Sequence, residues 1–170
     1  NAGTYYVRVE ETGINATVAK YFLEVAVSAD AGNEAEPNDT TGTANPNLTM
    51  ISEAFCSGTH SVNTDVDVYS VIVPPHQGLR AELVEGDRSI ATCESNTIDS
   101  RLTLLGADGV TQLVDDDDDG RGFCSAIDGT GNTPRDAAAF NNTNAAVTWF
   151  LQVRATSGGA FSYKLNVTLR

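Results

Sequence analysis

Polar and apolar residues alternate with a period of two along most of this chain. Tyr21-Phe22-Leu23-Glu24-Val25-Ala26-Val27 places Tyr21, Leu23, Val25 and Val27 on one face. Tyr5-Tyr6-Val7-Arg8-Val9 is aromatic and β-branched. Val66 to Val73, Leu79 to Val84, Arg101 to Leu105, Val110 to Val114, Val147 to Val153 and Tyr163 to Leu169 continue the pattern. Gly, Asn, Asp or Pro separates these runs, so each reads as a short strand ended by a turn. No stretch carries the 3.6-residue period of an amphipathic helix, and Asp136 to Phe140 has room for one helical turn. The pattern predicts an all-β sandwich.

The ending of the chain is foreshadowed at its start. Thr4 to Val9 matches Thr148 to Val153 class for class, and Tyr21-x-Leu23-x-Val25-x-Val27 matches Tyr163-x-Leu165-x-Val167-x-Leu169. Internal repetition is the mark of tandem units. Residues 1–28 are expected to form a β-hairpin that ends a preceding like domain, 29–40 an acidic linker, and 41–170 a complete sandwich. The other reading places every strand in one larger sandwich. A two-stranded hairpin is marginal in water and exposes unpaired edges. Such a hairpin needs a partner, either a neighbouring like domain or another copy that takes it by strand addition. The second choice gives head-to-tail contacts and open filaments.

Composition narrows the class. The 170 residues carry a net charge of −13 and only two lysines. That balance repels nucleic acid and anionic membrane surfaces, and no apolar run reaches the length of a membrane span. Neither a signal peptide nor an initiator Met opens the sequence at Asn1, so it reads as a fragment or a processed product. Abundant Thr, Asn, Gly and Asp suit a secreted, extracellular β-protein. In that setting Cys93 and Cys124 are expected to form a disulfide with Cys56 left over, against the alternative of three buried thiols. Sequons mark Asn15, Asn38, Asn47, Asn141 and Asn166 as possible glycan sites.

Three acidic groups are candidates for metal chemistry. Glu34, Glu36, Asn38 and Asp39 crowd around Pro37 in the linker. Such oxygen donors either form a solvated tether or clamp a hard cation such as calcium. Asp65 and Asp67 lie on one face of the strand that continues to Tyr69, and two same-side carboxylates repel unless a cation or hydrogen bonds compensate. Asp115, Asp117, Asp119 and Gly120 match the first half of a D-x-D-x-D-G calcium loop. Twelfth from Asp115 is Ala126 where an EF-hand needs a bidentate Glu, so an EF-hand is excluded. A loop calcium site and a solvated acidic turn both fit the remainder. His60 and His76 stand apart from any nucleophile motif, and the chain is not expected to be an enzyme.

Read in order, Glu34-Ala35-Glu36-Pro37-Asn38-Asp39-Thr40, Asp65-Val66-Asp67-Val68-Tyr69-Ser70, Leu102 to Gly109, the Asp115 run and Trp149 to Val153 resemble the bacterial pre-peptidase C-terminal domain. The collagen-binding domains of clostridial collagenases are related to that family. The resemblance covers about 34–170, and residues 1–28 resemble the end of a second copy. It implies a jelly-roll-like antiparallel sandwich in a secreted multidomain protein, without catalytic activity. It also implies calcium held by Glu34, Glu36, Asn38, Asp39, Asp65 and Asp67. The function expected is structural, self-assembling or adhesive. The alternative is an accessory domain that binds carbohydrate or matrix protein beside a secreted peptidase or other hydrolase. The exposed tyrosine cluster of the collagen binders has no counterpart in the pattern, because Tyr69 and Tyr163 have core-like spacing.

Overall fold

A computed structural model describes Val7 and residues 29–46, 53–61, 64–86, 92–95, 97–156 and 160–170. Nine strands form two sheets: β1 (Ala29–Asn33), β2 (Glu53–His60), β3 (Asp67–Val73), β4 (Leu79–Glu85), β5 (Ser100–Leu105), β6 (Gln112–Asp116), β7 (Ala126–Asp128), β8 (Val147–Ala155) and β9 (Phe161–Leu169). One sheet has the order β1-β2-β9-β4-β7 and the other β3-β8-β5-β6. From β2 to β9 the chain repeatedly changes sheets, as in a jelly roll. All pairings are antiparallel except β1 on β2. The expected all-β sandwich is therefore the fold.

The alternation written in the sequence is the packing. In β9, Phe161, Tyr163, Leu165, Val167 and Leu169 turn inward, with half-buried residues between them. Leu79, Ala81 and Leu83 of β4 join them from the same sheet. Across the sandwich stand Tyr69, Val71 and Val73 of β3, Leu102 and Leu104 of β5, and Trp149, Leu151 and Val153 of β8. Each large apolar side chain buried this way contributes about 1.5–3 kcal/mol. Polar side chains are buried as well, among them Asn38 and Asp67 at the start of β3 and Asn141 beside its end. Among the described residues, helix is limited to the 3-10 turns Cys93–Ser95 and Ala137–Ala139. No helix there is long and apolar enough to cross a membrane.

Three strands escape the hydrophobic pattern. Ala29–Asn33, expected to begin the linker, pairs in parallel with β2 and forms an edge strand of the larger sheet. Among the described side chains of β2, Cys56, Gly58 and His60 are the buried ones. Small and polar side chains give no apolar stripe, and β7 is only three residues long. Residues 34–45 then cross to β3. Val68 N–H donates to the Asn38 carbonyl, Asn45 N–H to the Val68 carbonyl and Ser70 N–H to the Asn45 carbonyl, at 2.8 to 3.0 Å. The acidic segment is thus laid along the edge of the smaller sheet.

Cys93 and Cys124 form the expected disulfide, and Cys56 is a free thiol in the core. Asn141 cannot carry a glycan in this fold. It is 1% exposed, and its Nδ2 faces the carbonyls of Val73, Pro74 and Ala145 at 2.8 to 3.0 Å. Asn166 lies half-buried on β9. The expected hairpin at 1–28, Asn15 and Asn47 fall outside the described residues, apart from Val7.

Candidate metal centre

The cluster is built where β1 ends, where β3 begins and where β9 passes between them. Glu34 follows β1, and its N–H donates to the Ser57 carbonyl at 2.8 Å. Its Oε1 accepts from Thr59 N–H of β2. Glu36 folds back so that its Oε2 accepts from Asn38 N–H at 2.9 Å. Asp67 opens β3 and is fully buried. One carboxylate oxygen from each of Glu34, Glu36 and Asp67 lies within 4.8 Å of the others.

Buried polar groups must find partners, or each costs on the order of a few kcal/mol. Two oxygens here have none. Asp67 Oδ1 and Asn38 Oδ1 are buried and unpaired, and both residues are 0% exposed. Asn38 Nδ2 donates to Glu34 Oε2 at 3.5 Å, which puts the unpaired Oδ1 of the same amide beside the carboxylates. Two acceptors without donors, next to two further carboxylates, is an arrangement that a hard cation completes. The donor set of carboxylate and amide oxygens, without sulfur or imidazole, fits calcium or magnesium chemistry better than that of a transition metal.

Two tyrosines floor the cluster. Tyr163 of β9 donates to Asp67 Oδ2 at 2.7 Å, and the Tyr69 and Tyr163 hydroxyls meet at 2.8 Å. Tyr69 also lies 3.2 Å from Glu34 Oε2. Both rings are fully buried. Burial pushes the Asp67 carboxyl up to about 8, and the negative charges of Glu34, Asp65 and Glu36 add to it against the Tyr163 hydrogen bond. Burial likewise raises Glu34, more than the hydrogen bonds from Thr59 and Tyr69 lower it. Both tyrosine hydroxyls are driven up, first by burial. Without a cation, then, this corner of the fold favours bound protons.

The sequence-derived set divides. Glu34, Glu36, Asn38 and Asp67 come together. Asp39 is exposed and stands outside the cluster. Asp65 turns away: although burial works against it, hydrogen bonds from Ser61 hold its carboxyl below the usual range. The five-acid run does not converge either, because its first two members lie in β6, where successive side chains point to opposite faces. Asp115 is bound by Arg101 and Thr103. Asp116 accepts from Ala126 N–H at 2.7 Å, and burial pushes its carboxyl up to about 6. Asp119 faces Arg135 at 3.6 Å. The grouping that does form is Asp99, Asp117 and Asp118, and Asp99 carried no signal in the sequence. Tyr163 also went unread as a site residue, since its core spacing hid the role of its hydroxyl.

No family model matches the chain, and no curated protein matches it. Solved structures show distant likenesses. The pre-peptidase C-terminal domain of a collagenase from Bacillus anthracis is 11% identical, covering 88% of this chain and 100% of that one, with a TM-score of 0.44. The periplasmic inhibitor of g-type lysozyme from Aeromonas hydrophila is 10% identical, covering 85% and 100%, with a TM-score of 0.43. Its counterpart from Salmonella Typhimurium is 14% identical, covering 85% and 100%, with a TM-score of 0.39. The sandwich is assigned from the chain's own two sheets.

Proposed function

We propose that the chain is a non-catalytic, calcium-stabilised β-sandwich module of an extracellular protein, with a structural, self-assembling or adhesive role. The observation that carries this reading is the convergence of Glu34, Glu36 and Asp67 beside the unpaired Asn38 and Asp67 oxygens. A cation there joins the segment that follows β1 to the first residue of β3, and so fixes how whatever precedes residue 29 is carried on the sandwich. The E-P-N-D and D-x-D-x-Y elements that resemble the pre-peptidase C-terminal domain supply Glu36, Asn38 and Asp67, and Glu34 stands two residues before the first of them. The disulfide and the acidic composition favour an oxidising, extracellular setting.

A head-to-tail arrangement needs an acceptor. The edge of β3 is taken by the 38–45 segment. The edge of β7 is covered by Asp116, Arg135 and Asp136, which bind its Ala126 and Asp128 main-chain groups. Contacts between successive units are therefore not expected at these two edges. Among the described residues Tyr69 and Tyr163 are buried, so a tyrosine-faced surface of the collagen-binding kind has no support.

Terbium(III) reports on such a site because nearby tyrosines sensitise its luminescence. Tyrosine-sensitised emission on titration, displaced by calcium and lost in Asp67→Asn, is the expected result. Emission that never rises, or that survives Asp67→Asn unchanged, would remove the cation from this reading.

A further inference from the structure

A second feature lies beside the cation cluster and shares Glu34 and Tyr163 with it. A groove of about 370 Å³ opens where β1 leaves the larger sheet, lined in part by Asn33, Glu34, Ser57, Thr59, Gly86 and Ser162. Its size falls at the lower end of the range of small-molecule sites. The lining follows from the sheet's period of two. Ser57 and Thr59 are two apart on β2, and Thr59 is paired with Ser162 on β9. The three side chains therefore share one face, with neighbours about 5–7 Å apart. Gly58 and Tyr163, between them, turn into the core. Gly86, whose N–H donates to the Ser162 carbonyl at 3.0 Å, continues the Thr59–Ser162 row with no side chain. A side chain at Gly86 would have no room there, because its Cβ would lie 2.7 Å from the Ser162 Cβ.

The chemistry of the wall limits what it can hold. Among the described residues the hydroxyls of Ser57, Thr59 and Ser162 have no hydrogen-bond partner, and a hydroxyl can both donate and accept. Among the described residues no arginine, lysine or histidine lines the groove and its one charged residue is Glu34, while Lys164, paired with Ser57, stands on the same sheet face outside the lining. An anion would meet that carboxylate and a chain of net charge −13. An apolar ligand would find only the edge of Tyr163. Hydroxyls at sheet spacing, an amide and a carboxylate oxygen match a neutral polyhydroxylated ring.

We infer that the Ser57–Thr59–Ser162 groove binds a neutral sugar unit of an extracellular glycan, through hydrogen bonds to its ring hydroxyls. The site goes beyond the cation reading and does not require it, although the two share Glu34 and Tyr163. Single-site affinity should be weak, since each exposed neutral hydrogen bond strengthens binding only a few-fold.

The test follows backbone amide shifts of the isotope-labelled chain during titration with neutral trisaccharides of glucose, galactose, mannose and N-acetylglucosamine. Each titration is run in calcium and again in EDTA. At least one series should give saturable shifts centred on Gly58, Thr59, Gly86 and Ser162. Ser162→Trp fills the groove and should weaken that binding by about tenfold or more. Ser57→Val removes one hydroxyl and should weaken it by about threefold to tenfold, which keeps the test alive if the tryptophan variant does not fold. Absence of saturable shifts with every sugar in both media overturns the inference, and so do shifts that survive both substitutions. Terbium emission without sugar shifts defeats this inference alone, and sugar shifts without terbium emission defeat the cation reading alone.

Discussion

Replacing Asp67 by Asn separates the cost of the buried carboxylate from its use as a ligand. The side chain keeps its shape, but the group can no longer ionise. In the wild type without a cation, the folded-state carboxyl titrates near 8 against an ordinary 3.8. The folded state therefore holds this proton more tightly than the unfolded chain does. The contribution to stability is fully present below about pH 4 and is lost as pH rises to about 8. Each tenfold difference in proton affinity between the two states is worth roughly 1.4 kcal/mol, so the loss is on the order of a few kcal/mol. Asp67→Asn removes this slope. Calcium should offset it in the wild type, since an ion at a hundredfold excess over Kd adds about 2.7 kcal/mol of stability. Urea unfolding of both proteins at about pH 5 and about pH 9, each in EDTA and in excess calcium, reads each contribution. In EDTA the wild type should lose stability on going to the higher pH relative to the variant, and calcium should restore it in the wild type alone. Parallel pH dependence of the two proteins in EDTA would refute the burial argument. An equal calcium gain in both would refute the ligand assignment.

The other predictions concern the frame around the site. The Cys93–Cys124 bond closes a loop with a sequence separation of 31, so reducing it should cost about 3–4 kcal/mol of stability by loop-closure entropy. A melt that does not move after reduction, with both thiols verified by mass, would contradict that. Gly58→Ala should destabilise the fold by about 1–3 kcal/mol, because the added methyl would lie 2.3 Å from the Tyr163 ring. The same change should weaken terbium binding, since Tyr163 carries the hydrogen bond to Asp67. An alanine variant with native stability and native terbium affinity would show that the ring shifts without consequence.

How much was legible in the sequence depended on whether the signal was local. Strands such as β3, β4, β8 and β9 announce themselves because each buries one face of large apolar residues, and that fixes a period of two. The disulfide followed from the kind of protein the composition implied. Glu34, Glu36, Asn38 and Asp67 stood out because carboxylates and amides crowd within a few residues of a strand or a proline. These were determined by the sequence itself.

What remained belongs to distance along the chain. Tyr163 lies 96 residues from the Asp67 it bonds, and only the packing of β9 against β3 brings them together. The five acids from Asp115 to Asp119 looked like one site, yet the pleat of β6 and the nearness of Arg101, Ala126 and Arg135 gave them separate partners. β1 and β2 carry too little apolar area to specify themselves and are strands because neighbours pair with them. The acidic segment could equally have been a solvated tether. Its place along the edge of β3 was decided by the tertiary structure, which buries Asn38 and Asp67 with oxygens that nothing else in the described chain satisfies. A sequence names the groups that ionise, whereas burial sets what their charge costs and therefore what must be bound to offset it.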